Sequence, residues 1–285
     1  MIDVHELSFA YGKDTLFRGL NLALEAGAIY GLLGRNGAGK TSLLRILSGQ
    51  LYAQEGESRV LGERPELRTP KLLSEIFFLP EEFHLPAVKP GEYRSMYAPF
   101  YPRFDDVRFE LYVKEFELRW NNRLSTYSYG QKKKFLLAFG LASGCSLILL
   151  DEPTNGLDIP SKSQFRRLVA SAISDHQTFV ISTHQVRDME NLIDPIVILD
   201  EGKIIFKQSL TEVAAKVSVE MRDGPGEGGE LYSEKGLGGY IVVTERQDGE
   251  EKAIDLELLF KAVISPDAAV RRLFKEDHLD ETGGI

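Results

Sequence analysis

The chain has 285 residues, 43% of them hydrophobic and 27% charged, with a net charge of −9. That length suits one compact α/β domain with an appendage, and the composition allows a sizeable buried core. No apolar run approaches the roughly 18 residues of a membrane span, no basic stripe marks a nucleic-acid surface, and the single Cys145 excludes an internal disulfide.

In chain order, a strand from Ile2 to Phe9 meets a turn at Tyr11-Gly12-Lys13-Asp14, and a second strand follows at Leu20 to Leu24. The apolar Ala28-Ile29-Tyr30-Gly31-Leu32-Leu33 reads as a buried strand that opens into a glycine-rich turn and a helix from Lys40 to about Leu47. Residues 56–80 read as short strands and a connector ending in Ile76-Phe77-Phe78-Leu79. Residues 82–142 change character: aromatic-rich, then helical, with Phe109, Tyr112, Val113 and Phe116 at 3–4 spacing. This segment is expected to form an α-helical subdomain. Its aromatic run from Tyr93 to Phe104 reads first as that subdomain's core, with a docking surface as the alternative.

Strand–helix alternation then returns, with strands at Leu147–Leu150, Thr178–Ser182 and Ile196–Leu199 and helices at about 160–174 and 185–192. The pattern predicts a mainly parallel sheet covered by helices. Residues 211–285 carry 9 Lys and Arg against 17 Asp and Glu, so this tail holds nearly all the net charge. It reads as a small α+β unit: a strand Val217–Met221, a link Gly224–Gly229, a hairpin of Tyr240–Thr244 with Asp248-Gly249, a helix opened by Asp255, and another opened by Ser265-Pro266-Asp267.

Two motifs carry the chemistry. Gly34-Arg35-Asn36-Gly37-Ala38-Gly39-Lys40-Thr41, followed by Ser42, matches G-x-x-x-x-G-K-[ST] between a buried strand and a helix. Glycines let backbone N–H groups face phosphate oxygens, the helix adds its positive end, Lys40 reaches the β- and γ-phosphates, and the Thr41 hydroxyl ligates Mg²⁺. In Leu147-Ile148-Leu149-Leu150-Asp151-Glu152 a buried strand delivers two carboxylates, Asp151 for the metal and Glu152 as the general base on the attacking water. The pair expects ATP and Mg²⁺ as ligands.

Tyr127-Ser128-Tyr129-Gly130-Gln131, placed 20 residues before Asp151, resembles the ATP-binding cassette signature, whose usual form is Leu-Ser-Gly-Gly-Gln. With the two motifs above, the resemblance to ABC transporter ATPase subunits covers residues 1 to about 210. It implies a phosphate-loop NTPase fold with a mainly parallel core sheet, an antiparallel N-terminal β subdomain and an α-helical subdomain. It also implies that Ser128, Gly130 and Gln131 grip the γ-phosphate of ATP held by a second subunit. Tyr127 and Tyr129 depart from the usual Leu and Gly.

By position, Tyr11 resembles the aromatic that stacks on adenine, His184 the switch histidine at the γ-phosphate, and Asp158 in Gly156-Leu157-Asp158 the loop crossing the dimer interface. Glu81 stands where the family has glutamine, and its carboxylate is expected to reach Mg²⁺ or its water. Pro80-Glu81-Glu82 is similar to exporter-type cassettes with separately encoded permeases.

The expectation is therefore an ATPase domain over 1–210 and an α+β appendage over 211–285. The chain would act as a homodimer, or as a heterodimer with a second cassette. It would sit in the cytoplasm, attached to the inner face of the plasma membrane through an integral membrane permease, without nucleic acid. A soluble cassette acting on ribosomes or DNA is the alternative; translation-type members carry two cassettes in one chain and repair-type members a long coiled-coil insertion. Lys132-Lys133-Lys134 is expected to be a solvated helix face.

Overall fold

In the computed structural model, which describes residues 1–224, 228–247 and 255–275, the chain opens with strands β1 (Ile2–Tyr11) and β2 (Asp14–Leu24), then β3 (Ile29–Leu33), helix α1 (Lys40–Leu47) and β4 (Glu55–Val60). The order β2-β1-β4 makes a three-stranded antiparallel sheet. The first hairpin runs further than its apolar residues suggested, because pairing continues to Tyr11 and Asp14 around the expected turn.

After a short α2 (Pro70–Leu73) and β5 (Ile76–Leu79) come the helices α3 (Pro90–Tyr97), α4 (Asp106–Glu115) and α5 (Tyr129–Ala142) of the expected helical segment. Tyr93 and Phe104 pack on Phe139 of α5, whereas Phe100 is 68% exposed. The aromatic run therefore divides between core and surface.

Next are β6 (Leu147–Asp151), α6 (Ile159–Ala172), β7 (Thr178–Thr183), β8 (Ile196–Asp200) and β9 (Lys203–Gln208). Together with β3 and β5 they form a six-stranded sheet in the order β5-β6-β7-β3-β8-β9, parallel except for β9. Strands β3, β6 and β7 are buried at every position, as continuous apolar runs covered on both faces require.

The registers Leu79↔Leu150, Asp151↔Ser182 and Leu33↔Thr183 bring the C-terminal ends of β5, β6, β7 and β3 to one edge of the sheet. Whatever follows those four strands must lie together. Crevices outside the carboxyl ends of parallel strands are where such sheets take ligands.

The C-terminal unit begins with α7 (Leu210–Lys216), whose Ser209 and Glu212 form a capping box. Strands β10 (Val217–Arg222), β11 (Tyr232–Gly236) and β12 (Gly239–Glu245) form an antiparallel sheet in the order β10-β12-β11, followed by α8 (Leu256–Ile264) and α9 (Ala269–Lys275). Val243, Leu259, Val263 and Phe274 join the same buried cluster as Phe179 and Ile196 of the six-stranded sheet. Phe274 also meets Phe206 of β9 edge-on at 5.2 Å. Because Leu259 is 1% exposed, Leu259→Ala should cost roughly 3 kcal/mol of whole-chain stability. The loss should appear as a lower urea midpoint with an unchanged slope; a midpoint equal to wild type would mean that this packing does not hold the unit in place.

Two sequence expectations are corrected and one strand is added. The helix expected at 185–192 is one 3₁₀ turn, Val186–Met189. Buried Val186, Met189, Leu192 and Ile193 imitate a helical period, but the chain leaves the coil at Glu190, with ψ +137°, and Asn191 follows at φ +61°. Strand β9, not anticipated, pairs with β8 through the turn at Glu201-Gly202, both residues having positive φ.

β12 pairs back with β11 through the turn at Leu237-Gly238; the expected turn at Asp248-Gly249 and part of the Gly224–Gly229 link lie outside the described residues. Ser265-Pro266-Asp267 does not start a helix. The Ala268 N–H closes back on the Ser265 carbonyl at 3.1 Å and Ala268 has φ +53°, so α9 begins at Ala269. No helix among the described residues is long and apolar enough to cross a membrane.

Candidate functional site

The loop between β3 and α1 is shaped by Gly39, at φ +108° with the Phe17 ring so near that a Cβ would sit 2.6 Å from it. Only glycine fits both the angle and the space. As N-cap it offers no side chain, so the first N–H groups of α1 open outward as a ready anion site. Gly37, Gly39, Lys40, Thr41 and Ser42 line a cavity of about 480 Å³ together with Tyr11, Asn36, Glu81, Glu152 and His184.

Lys40 is 7% exposed, and its ammonium donates to the carbonyls of Gly34 at 2.8 Å and Arg35 at 3.2 Å, with Glu152 Oε1 at 3.8 Å. Burial holds its pKa below the ordinary lysine value, against the pull of Glu152, Asp151 and Glu81. Ala38, 8% exposed, packs in the apolar cluster beneath the loop.

Asp151 is fully buried at the end of β6, accepting from Thr41 Oγ1 at 2.8 Å and from Ser182 Oγ at 2.5 Å. A hydroxyl and a carboxylate so joined are hard oxygen donors of the kind that Mg²⁺ takes alongside phosphate oxygens. Among the described residues no group of three or more His, Cys, Asp and Glu is placed to hold a metal ion.

Glu152 is 5% exposed and takes φ +45°, its N–H bonded to the Ser182 carbonyl at 3.1 Å. Its Oε1 lies 2.8 Å from His184 Nδ1 and its Oε2 accepts the His184 N–H at 3.4 Å. The expected base and the expected switch histidine are thus direct partners, a pairing that sequence spacing alone did not reveal. Tyr11, 49% exposed, stands edge-on to Phe9 and shares a 3.1 Å hydrogen bond with Ser42 Oγ, leaving a ring face free.

Glu81 Oε1 accepts from Asn155 Nδ2 at 2.9 Å, and Asn155 Oδ1 accepts from Gln185 Nε2 at 3.0 Å. Asn155 and Gln185 went unnoticed in the sequence. Each adjoins a residue that was singled out, and that adjacency was the available signal.

Ser128, Gly130, Gln131 and Asp158 are not brought to this cavity. Ser128 caps α5, accepting from the Gln131 N–H at 3.2 Å, while Gln131 Oε1 accepts the Ser128 N–H at 3.0 Å. Asp158 caps α6 by accepting the Ser161 N–H at 3.0 Å.

The triple-lysine expectation is corrected: Lys133 is fully buried. Position 133 turns toward the six-stranded sheet, where the Glu152 and Asn155 carbonyls accept from its ammonium at 2.9 and 3.0 Å, and burial pushes its pKa down to about 8.

The family model described as "ABC transporter" matches residues 17–155. The lantibiotic transport ATP-binding protein SrtF of Streptococcus pyogenes is 30% identical over 219 residues, 73% of this chain and 90% of its own length. The ABC transporter ATP-binding protein YtrB of Bacillus subtilis is 28% identical over 218 residues, 75% of this chain and 73% of its own. Among solved structures, the dimeric post-hydrolysis state of the ATP-binding cassette MJ0796 bound to ADP and Pi superposes with a TM-score of 0.64 at 22% identity, covering 74% of this chain and 99% of that one.

Proposed function

The chain belongs to the ATP-binding subunits of ABC transporters, which bind and hydrolyse ATP to power transport, and from that membership we propose how its residues share the work. The observation that carries the assignment is the convergence of Lys40, Thr41, Asp151, Glu152 and His184 at one edge of the sheet.

The N–H groups of the loop and α1 cradle the triphosphate, Lys40 neutralises charge at its outer phosphates, and Tyr11 covers the adenine, a stack on the order of 1 kcal/mol. Thr41 and Asp151 would hold Mg²⁺, with the Glu81 carboxylate near them, and the cation would supply charge neutralisation for phosphoryl transfer. Glu152 polarises the attacking water, and His184, on the same carboxylate, orients it and reaches the γ-phosphate.

Ser128, Gly130 and Gln131 lie apart from the chain's own cavity and serve the nucleotide of a second copy, with Asp158 at the crossing. A two-fold dimer closes this geometry, and the dimeric cassette noted above supports it.

The membrane partner is an integral permease, and the relative named for SkfA peptide export favours export. We place its dock in a groove of about 780 Å³ between the sheet domain and the helical segment, where Tyr97 and Phe100 face Phe78 and Leu73. This attachment sets the chain at the cytoplasmic face of the membrane. Purification from detergent-solubilised membranes should recover a multi-span protein with the chain, and Phe100→Glu should lose it while keeping ATP binding. Recovery only with ribosomes or DNA would overturn the transporter reading.

A further inference from the structure

Two of the three positions that depart from the family pattern, Tyr129 and Glu81, touch each other. The Tyr129 hydroxyl donates to the Glu81 carbonyl at 2.5 Å, and its ring stacks on Phe83 with centroids 5.3 Å apart and planes 20° from parallel. One edge of the ring also abuts the loop after Glu152: a Cβ at Gly156 would stand 2.7 Å from a Tyr129 ring carbon. A glycine at 129 could make none of these contacts.

One turn on, Lys133 sits 5.1 Å from the Tyr129 ring centroid and ties down the carbonyls of Glu152 and Asn155. Asn155 then links Glu81 to Gln185, the neighbour of His184. One face of α5 therefore fastens three segments that carry Glu81, Glu152 and His184, while Ser128 at its N-terminus stays exposed.

A core-filling role fits these residues poorly. Tyr129 is 45% exposed, so it fills little interior. Lys133 is an expensive way to occupy a buried space, because an ammonium must be desolvated where an apolar side chain of similar length need not be. What a lysine offers there and a methionine does not is donors for two main-chain carbonyls beside the catalytic carboxylate.

We propose that Tyr129 and Lys133 are positioning residues for the chain's own hydrolytic site, acting in cis through the main chain of Glu81, Glu152 and Asn155. When α5 docks on a partner's ATP, the same helix then sets the water-activating carboxylate of the chain that donates it. This rests on the two-copy reading above.

The test uses mixed dimers with two tags, one protomer carrying Glu152→Gln so that a single site turns over. Tyr129→Phe or Lys133→Met is placed in either protomer. In the protomer with intact Glu152, each should lower kcat about fivefold, the rate equivalent of one hydrogen bond, with KM for ATP unchanged within about twofold. In the Glu152→Gln protomer the same substitution should cost less than about twofold, since the interaction it removes lies beside the inactive site.

Equal loss in both placements would mean general destabilisation. Loss only in the Glu152→Gln protomer would mean a trans contact with nucleotide. Either result, or no loss at all, overturns the proposal. Failure of the two-copy reading shows separately, as a Glu152→Gln chain that stays monomeric with ATP. In that case amide hydrogen exchange across 152–157 decides: Tyr129→Phe and Lys133→Met must accelerate it over wild type, and unchanged exchange sinks the assignment.

Discussion

Glu152→Gln should bind Mg-ATP with close to wild-type affinity and turn it over about a thousandfold more slowly, within the usual contribution of a positioned general base. The substitution keeps the side chain's size and leaves the backbone pinned by the Ser182 carbonyl, so the left-handed conformation at 152 has no new reason to relax. An amide oxygen can still accept from His184 Nδ1, 2.8 Å away, but it cannot take a proton from water. The cradle, Lys40 and Thr41 are untouched, so ATP remains and holds two copies together. The checks are phosphate release under saturating ATP and gel filtration with and without nucleotide. Persistent hydrolysis would remove Glu152 from the role of base, and a slow enzyme that never dimerises would detach the signature from the partner's ATP.

Why so much of this site was legible in the chain, and some of it not, has a physical explanation. Parallel strands buried on both faces must be apolar throughout, so β3 and β6 stand out as Ile29–Leu33 and Leu147–Leu150, and a motif that follows such a run has to emerge at the carboxyl edge. Glycines of the phosphate loop are forced by backbone angle, which is a local demand. Lys133 is different. Three lysines in a row carry no mark of which one faces inward; that choice is made by the rotation of α5 against the loop after Glu152, a tertiary contact between residues 19 and 22 positions apart.

The same reason hid the 3₁₀ turn at Val186–Met189. Its apolar spacing is shared by a helix, and the deciding event is the exit at Glu190 and the reversal at Asn191 before the chain re-enters the sheet. The Tyr129–Glu81 pair was visible only as two separate departures from a pattern. Their adjacency needed β5 and α5 placed in space.

Lys40→Ala tests the other half of the site, and it should weaken ATP binding by roughly 3 kcal/mol, on the order of 150-fold. Two effects act in the same direction. The outer phosphates lose their fixed cation, and Glu152, 5% exposed and 3.8 Å from the missing ammonium, is left as a buried carboxylate facing the triphosphate with less to offset it. The loss should therefore grade with phosphate number, largest for ATP, smaller for ADP and slight for AMP, because Lys40 reaches only the outer phosphates. That gradation separates a lost charge contact from a collapsed loop, which would weaken all three nucleotides alike. Titration calorimetry with the three nucleotides, beside circular dichroism to confirm the fold, makes the comparison. Unchanged ATP affinity would show that this loop does not hold the triphosphate, and the double variant with Glu152→Gln recovering part of the loss would identify the unpaired carboxylate as the second effect.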